Sequence, residues 1–424
     1  MESETNVSQI VEHLFRQEAG KTVSALTGTF GLRNLELIED AVQEALLKAL
    51  RLWSYGTIPP NPAAWLMQVA RNHALDNLRR DTRWHEKQEQ VALQHELSES
   101  LVTKPIFSDE EIKDDQLRII FACCHPALGR ESQVALTLKL LCGFNVEEIA
   151  RAFLTGSETI AKRLTRARER LRSNAVPFEI PSGPDLTLRL DSVLDVLYLL
   201  FNEGYNASQG DELIRRDLCD EAIRLTSLLS EHPAGNTPKT HALLALLLFQ
   251  AARFSARIDS AGEMLLLQNQ DRSIWDRRKI SQAFLHLDRA SSGKISEFHI
   301  QAGIAACHCA AQNYEATDWE KILLLYDLLS ELNDSPVVAL NRAVAVANMR
   351  GPEAGLKALE EIRNSEMLAK YYLFYAVRGK LHFELAHYQE AEENFRRGLA
   401  LTNIPAEQSF LRKKLTEIKS MLSN

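Results

Sequence analysis

Val146-Glu147-Glu148-Ile149-Ala150-Arg151-Ala152-Phe153 reads as a short amphipathic helix, Leu154-Thr155-Gly156-Ser157 as a tight turn, and Glu158 to Arg172 as a second helix. Ser157 is a residue type that caps the helix it precedes. A helix, a short turn with Gly and a second helix make the helix-turn-helix layout. The second helix carries Lys162, Arg163, Arg166, Arg168, Arg170 and Arg172 against Glu158 and Glu169. Ile160, Leu164, Ala167 and Leu171 form its apolar stripe, which leaves the basic residues to face outward. Such a helix fits the major groove of a duplex. Ser157, Glu158, Thr159, Lys162 and Arg163 at its start would meet base edges, and Arg166, Arg168 and Arg170 would meet phosphates. A charge run alone usually marks a solvated face. Here cap, turn and charge excess coincide, which favours DNA.

Outward from this pair, apolar residues keep recurring at three- and four-residue spacing and strand-like alternation is scarce, so the chain reads as all-α. Its 424 residues exceed one ordinary core, and 45% hydrophobic with 25% charged residues is typical of a globular protein. The formal net charge of −8 argues against a chain that holds DNA by overall charge, so the local basic helix must carry that reading. The six cysteines, Cys123, Cys124, Cys142, Cys219, Cys307 and Cys309, form no CxxC pair and suit a reducing cytoplasm. Cys123-Cys124-His125 and Cys307-His308-Cys309 offer adjacent ligands that do not readily converge on one tetrahedral ion. Core packing is therefore favoured over zinc, and neither a metal nor a cofactor is expected. The start of the chain has no signal-like apolar stretch. The run from Ala242 to Ala252 is too short to span a bilayer and reads as a buried helix, so no membrane is expected. P-loop, dinucleotide and HExxH patterns are missing, which argues against an enzyme.

Ahead of the basic helix, spacing predicts helices over Val7–Thr29, Asn34–Leu52 and Pro62–His85, with Asn34 as a cap. The middle helix has a broad apolar stripe of Leu37, Ile38, Ala41, Val42, Ala45, Leu46, Ala49 and Leu50. Asp40, Gln43 and Glu44 share its polar side at i, i+3 and i+4. The run Tyr55 to Pro62 breaks structure, and the next helix opens after Asn61 with Pro62 first. On that helix Trp65, Val69 and Leu75 are expected inward, with Arg71, Asn72, Asp76, Arg79 and Arg80 as the polar set. A basic helix beside an aromatic-containing loop suits single-stranded DNA. Residues 88–115 hold eight acids against two lysines and read as an acidic linker.

Together these segments resemble the extracytoplasmic-function class of bacterial sigma factors. Asp40-Ala41-Val42-Gln43-Glu44 looks like the region-two motif that binds core RNA polymerase. Pro62 to Leu66, Ala70-Arg71-Asn72 and Asp76 to Arg80 look like the promoter-melting stretch, and Glu148-Ile149-Ala150 with Ser157 to Arg172 looks like region four. The resemblance implies that Asp40, Gln43 and Glu44 meet the polymerase. It implies that Trp65, Arg71, Asn72, Asp76, Arg79, Arg80 and the loop residue Asn61 meet melted promoter DNA. The rest resembles the subgroup with a long C-terminal extension, through Phe121 to Leu128, Tyr198 to Tyr205, Asp271 to Asp276 and Asn341 to Ala345. Residues 369–401 partly fit a tetratricopeptide unit, with Gly379, Tyr388, Ala391, Phe395 and Leu399 near the expected spacing. Gly398 stands where Ala is customary, and Pro405 comes late.

The resulting organisation is region two over 8–87, linker 88–115, region four over 116–175, a family-specific helical extension over 184–290 and helical repeats over 291–424. The expected partners are core RNA polymerase, promoter DNA and, for the extension, a protein or peptide or the sigma modules themselves, with Trp275 a candidate docking residue. A DNA-binding regulator with a helical sensor, independent of sigma activity, shares the helix-turn-helix but leaves Asp40 to Arg80 unexplained.

Overall fold

The protein is described by a computed structural model over residues 18–31, 34–54, 58–86, 114–153, 155–172, 181, 183–206, 214–259, 264–362 and 365–422. Among these residues the chain is all-α, and the one extended pairing is an isolated antiparallel bridge between Ile258 and Met264. It divides into two compact units, residues 1–200 with 232–234, and 201–231 with 235–424.

The first unit contains α1 (Ala19–Phe30), α2 (Leu35–Trp53), α3 (Pro62–Glu86), α4 (Asp115–Cys123), α5 (Arg130–Leu141), α6 (Val146–Ala152), α7 (Ser157–Arg172) and the start of α8 (Pro184–Tyr205). Helix α2 buries Ile38, Ala41, Val42, Ala45, Leu46 and Ala49, and α3 buries Leu66, Ala70 and Ala74. The alanines let the two axes approach closely, and Trp53 meets Trp65 at the end of the seam with ring centroids 5.1 Å apart. Each fully buried Ile or Leu side chain here contributes about 1.5–3 kcal/mol. Helix α1 ends at Gly31, whose φ of +84° frees its N–H to bond the Thr27 carbonyl at 2.8 Å. Asp114 caps α4 by accepting from the Leu117 N–H at 3.0 Å. The buried Arg189 guanidinium of α8 donates to the Phe121 carbonyl at 3.0 Å and so ties α8 to the end of α4.

Several sequence expectations change. The expected first helix is described only from Ala19, and its portion over 7–17 lies outside the described residues, as do Tyr55 to Thr57 of the loop and residues 88–113 of the linker; Asp114 and Asp115, expected in that linker, cap and open α4 instead. Asn34 stands at the N-cap of α2 as expected, but its side chain accepts no bond from that helix; its amide donates instead to the Phe30 carbonyl of α1 at 2.7 Å. Leu50 leaves the α2 stripe and is exposed. The deepest residues of α3 are Leu66, Ala70 and Ala74, while Trp65, Val69 and Leu75 flank them half-buried. A 25-residue helix packed on two neighbours buries a narrower and rotated stripe than its apolar side chains alone suggest.

The second unit takes the end of α8 and continues through α9 (Arg216–Glu231), α10 (Pro238–Ala251), α11 (Arg277–Arg289), α12 (Glu297–Ala310), α13 (Trp319–Leu332), α14 (Pro336–Arg350), α15 (Pro352–Glu360), α16 (Tyr372–Glu384), α17 (Tyr388–Leu399) and α18 (Pro405–Leu422). Helix α10 is buried on every side from Thr240 to Phe249. From α12 onward each helix packs on its neighbours in chain order. Gly379 on α16 makes room for the Phe395 ring of α17, because a Cβ there would stand 3.0 Å from it. Gly204 plays the same part at the end of α8, where a Cβ would stand 2.7 Å from the Cys219 sulfur. All six cysteines are free and buried. Burial pushes the Cys123 thiol up to about 12 and that of Cys309 to about 11, as suits packed apolar groups rather than metal ligands.

Candidate nucleic-acid interface

Helix α2 has one solvent-facing strip. Asp40, Gln43 and Glu44 are exposed, with Glu36 one turn earlier and Leu47 and Leu50 one turn later. The strip is therefore acidic at one end, while at the other exposed leucines stand beside the exposed Lys48 and Arg51. Sequence reading found the acids, but it placed Leu50 in the buried stripe and left Leu47 unassigned.

Helix α3 presents Arg71, Asn72, Asp76, Arg79 and Arg80, all exposed, over its second half. Gln68 joins them by donating to the Asn72 side-chain oxygen at 3.0 Å. Asn61 has a different task from a bare loop residue: its side-chain oxygen accepts from the Ala64 N–H at 3.0 Å and caps α3. Trp65 is half-buried against Trp53, so the aromatic pair stiffens the start of this helix.

The helix-turn-helix is built from α6 and α7. Asn145 starts α6 with a capping box: its side chain accepts from the Glu147 and Glu148 N–H groups, and the Glu148 carboxylate accepts from the Asn145 N–H at 2.7 Å. Helix α7 begins at Ser157 itself, with the Gly156 carbonyl accepting its first bonds, so Ser157 is the first helical residue and not the cap. Ile160, Leu164 and Ala167 are buried as expected, and the Leu171 side chain lies outside the described residues. Ser157, Glu158, Thr159, Lys162, Arg166 and Arg170 are exposed, together with Ala161 and Thr165, which a search for charge passes over. Lys162 bonds Glu158 at 2.6 Å across one turn.

Two basic residues expected to face outward are held by acids from other helices. Arg163 pairs with Glu131 of α5, and its guanidinium lies 5.4 Å from the Phe153 ring centroid. Arg168 pairs with Glu39 of α2 at 3.4 Å. Arg163 thus turns inward, with 20% of its side chain exposed, whereas Arg168 is held by an acid from another helix yet keeps 41% of its side chain in solvent. Glu39 is the polar residue that sequence reading missed. Burial pushes its carboxyl up to about 7, against the opposing pull of Arg168 and Lys139 and with a smaller push from Asp40 and Glu36.

The distinctive motifs of the extension are structural within the second unit. Arg272, buried to 6% exposure, donates to the carbonyls of His308 at 2.7 Å and Ala311 at 2.9 Å and to the Thr317 hydroxyl at 3.1 Å. It thereby closes the end of α12. Trp275 is 2% exposed, with the guanidinium carbons of Arg272 and Arg253 at 5.1 and 5.4 Å from its ring centroid. It is a core residue and not an exposed docking residue. Asp276 caps α11 by accepting from Arg278 and Lys279 and pairs with Lys279 at 2.9 Å. Tyr205 lies under the Arg257 guanidinium at 3.8 Å, and Arg342 binds Asp327 at 2.6 Å.

Comparison with known proteins agrees with the N-terminal assignment. Residues 15–84 match Sigma-70 region 2, which covers α1 to α3 and both of their exposed faces. The chain is thus a sigma-70 family factor, of the kind that acts in promoter recognition and transcription initiation. Residues 189–291 match a family of unknown function (DUF6596), the part that holds the Tyr205 and Trp275 motifs. An uncharacterized protein of Rhizobium meliloti (strain 1021) is 41% identical over 394 residues, 91% of each chain, and this chain belongs to its family. No described helix is long and apolar enough to cross a membrane.

Proposed function

We propose that this chain is a sigma factor of the extracytoplasmic-function class with a tetratricopeptide-like C-terminal extension, and that it is not an enzyme. The α2 strip of Asp40, Gln43 and Glu44 docks core RNA polymerase, with Leu47 and Leu50 adding an apolar edge. The polar face of α3 holds the melted strand through Arg71, Asn72, Arg79 and Arg80. The exposed start of α7 reads the upstream element as duplex, Lys162 at base edges and Arg166 and Arg170 on phosphates. The extension regulates this activity by presenting a stacked helical surface to a protein or peptide. One observation carries the reading: within a segment matching Sigma-70 region 2, the acidic and basic faces are both exposed while the apolar stripes between them are buried.

The test is run-off transcription with core polymerase and purified full-length protein, wild type and the double variant Asp40→Lys, Glu44→Lys. The variant is expected to lose polymerase binding and transcripts while keeping its helical circular dichroism. A wild-type protein that fails to join core polymerase at modest ionic strength yet binds duplex DNA would instead be a regulator with a helical sensor.

A further inference from the structure

Helix α13 exposes Leu324, Leu328 and Leu332 at four-residue intervals, with 59%, 41% and 51% of each open to solvent. Its opposite side is packed: Ile322, Leu323 and Leu329 join Ile300 and Ile304 of α12 and Ala345 and Val346 of α14 in one core. The three leucines are thus left over after the helix has filled its own core. No other described helix exposes three leucines at this spacing. At the end of the row the Asn333 amide donates to the Glu297 carboxylate at 2.8 Å, which holds the start of α12 beside the end of α13. Ile295, two residues before Glu297, is exposed as well. A row of this kind differs from singly scattered surface leucines, and contiguous apolar surface marks a place that another molecule covers.

The charges beside the row indicate what covers it. With about 100° of turn per residue, Glu320 and Glu331 fall along one edge of the leucine row and Lys321 along the other. All three are exposed and make no ion pair among the described residues, whereas Asp327 is taken by Arg342 at 2.6 Å. An apolar row with opposite charges on its two edges complements itself. Two copies laid parallel bring unlike edges together, so each Lys321 stands beside the Glu320 of the other copy. Laid antiparallel, they would bring like edges together and set Glu320 against Glu331. We propose that α13 is a homodimer interface: two copies of this chain associate through parallel α13 helices about a two-fold axis, Leu324 on Leu324 and Leu328 on Leu328, with Lys321–Glu320 pairs on both sides. The row is narrow beside the ~800 Å² per partner of a stable interface, so the dimer dissociates readily, with a Kd on the order of 10 µM. This contact does not depend on the sigma-factor reading.

Sedimentation velocity of the full-length protein, from well below to well above that concentration, is expected to show a monomer–dimer equilibrium. The double variant Leu324→Glu, Leu328→Glu should remain monomeric throughout with unchanged helical circular dichroism, because both side chains are exposed in the single chain. Lys321→Glu should weaken the dimer by about five- to tenfold, since both pairs become repulsive. Adding Glu320→Lys to it restores unlike edges and should recover the dimer, which a merely structural role for Lys321 would not do. Because all six native cysteines are buried, Leu324→Cys and, separately, Leu328→Cys should each give a disulfide-linked dimer with its own kind under mild oxidation with copper phenanthroline. A wild-type chain that stays monomeric at every concentration, or a dimer untouched by Leu324→Glu, Leu328→Glu, would overturn the proposal. So would failure of the charge swap to recover association, or cross-links that form only when the Leu324→Cys and Leu328→Cys proteins are mixed, which is the antiparallel pattern.

Discussion

Arg166 and Arg170 of α7 stand exposed beside a buried apolar stripe, whereas Arg272 of the extension is buried and gives its N–H groups to two carbonyls and a hydroxyl at the end of α12. The same side chain serves a surface meant for phosphates in one unit and a packed core in the other. The difference lies in what surrounds it. On α7 the neighbours of Arg166 at i+3 and i+4 are the charged Glu169 and Arg170, and both arginines stand at the solvent surface. Around Arg272 the frayed carbonyls of α12 and the Trp275 ring replace water altogether. An unusual motif is therefore no guide to a surface. Asp271 to Asp276 looked distinctive and is scaffold, whereas the exposed residues of α3 look ordinary and form the candidate interface.

The strongest way to break this comparison is Trp275→Ala. It should destabilise the extension by about 3–5 kcal/mol, read as an early unfolding transition in urea with the Sigma-70 region 2 transition unmoved. A small effect would mean that Trp275 is not the core residue its burial implies. Next comes pH. The Glu39 carboxyl is raised by burial to about 7 from an ordinary 4.5 and faces Arg168 of α7, Lys139 of α5, and Asp40 and Glu36 of its own helix. Its folded-state value lies above its unfolded one, so its contribution is full below about 4.5 and is lost as pH rises through about 7. After screening by solvent, the loss should be on the order of 1–2 kcal/mol. The first unit should melt lower at pH 8 than at pH 5.5, and Glu39→Gln should flatten that dependence.

A finer test sharpens the surface side of the comparison. Arg166→Ala should leave thermal stability unchanged within about 0.5 kcal/mol, while reducing the salt slope of duplex binding by about one. The same change at the inward-facing Arg163 should instead show mainly in stability. Smallest of all, Glu158→Ala removes an exposed pair with Lys162 and should cost no more than about 0.5 kcal/mol by thermal melting.

Much of the site was legible in advance. Asp40, Gln43 and Glu44 fell on one face because helical periodicity fixes which residues share a side, and Pro62 marked the start of α3. The buried run in α10 was equally plain. Less visible were Leu47 and Leu50, whose exposure depends on how α2 is rotated against α3, and Glu39, an acid like its neighbours in sequence. Asn61 and Ser157 were near their helix starts as expected, but their exact positions depended on local backbone geometry, which residue type alone does not fix.

By itself the sequence determined that this chain is helical, that a helix-turn-helix ends its first part, and that an acidic and a basic face precede it. Those are matters of local spacing, and a helix imposes its period on any stretch of chain. Only the tertiary structure decided which arginines stay at the surface, that Gly20 admits the backbone of α5, and that Glu39 meets Arg168. Each of these depends on a residue many helical turns away along the chain, more than a hundred positions for Gly20 and Glu39, and no period along the chain encodes the desolvation that such a neighbour brings.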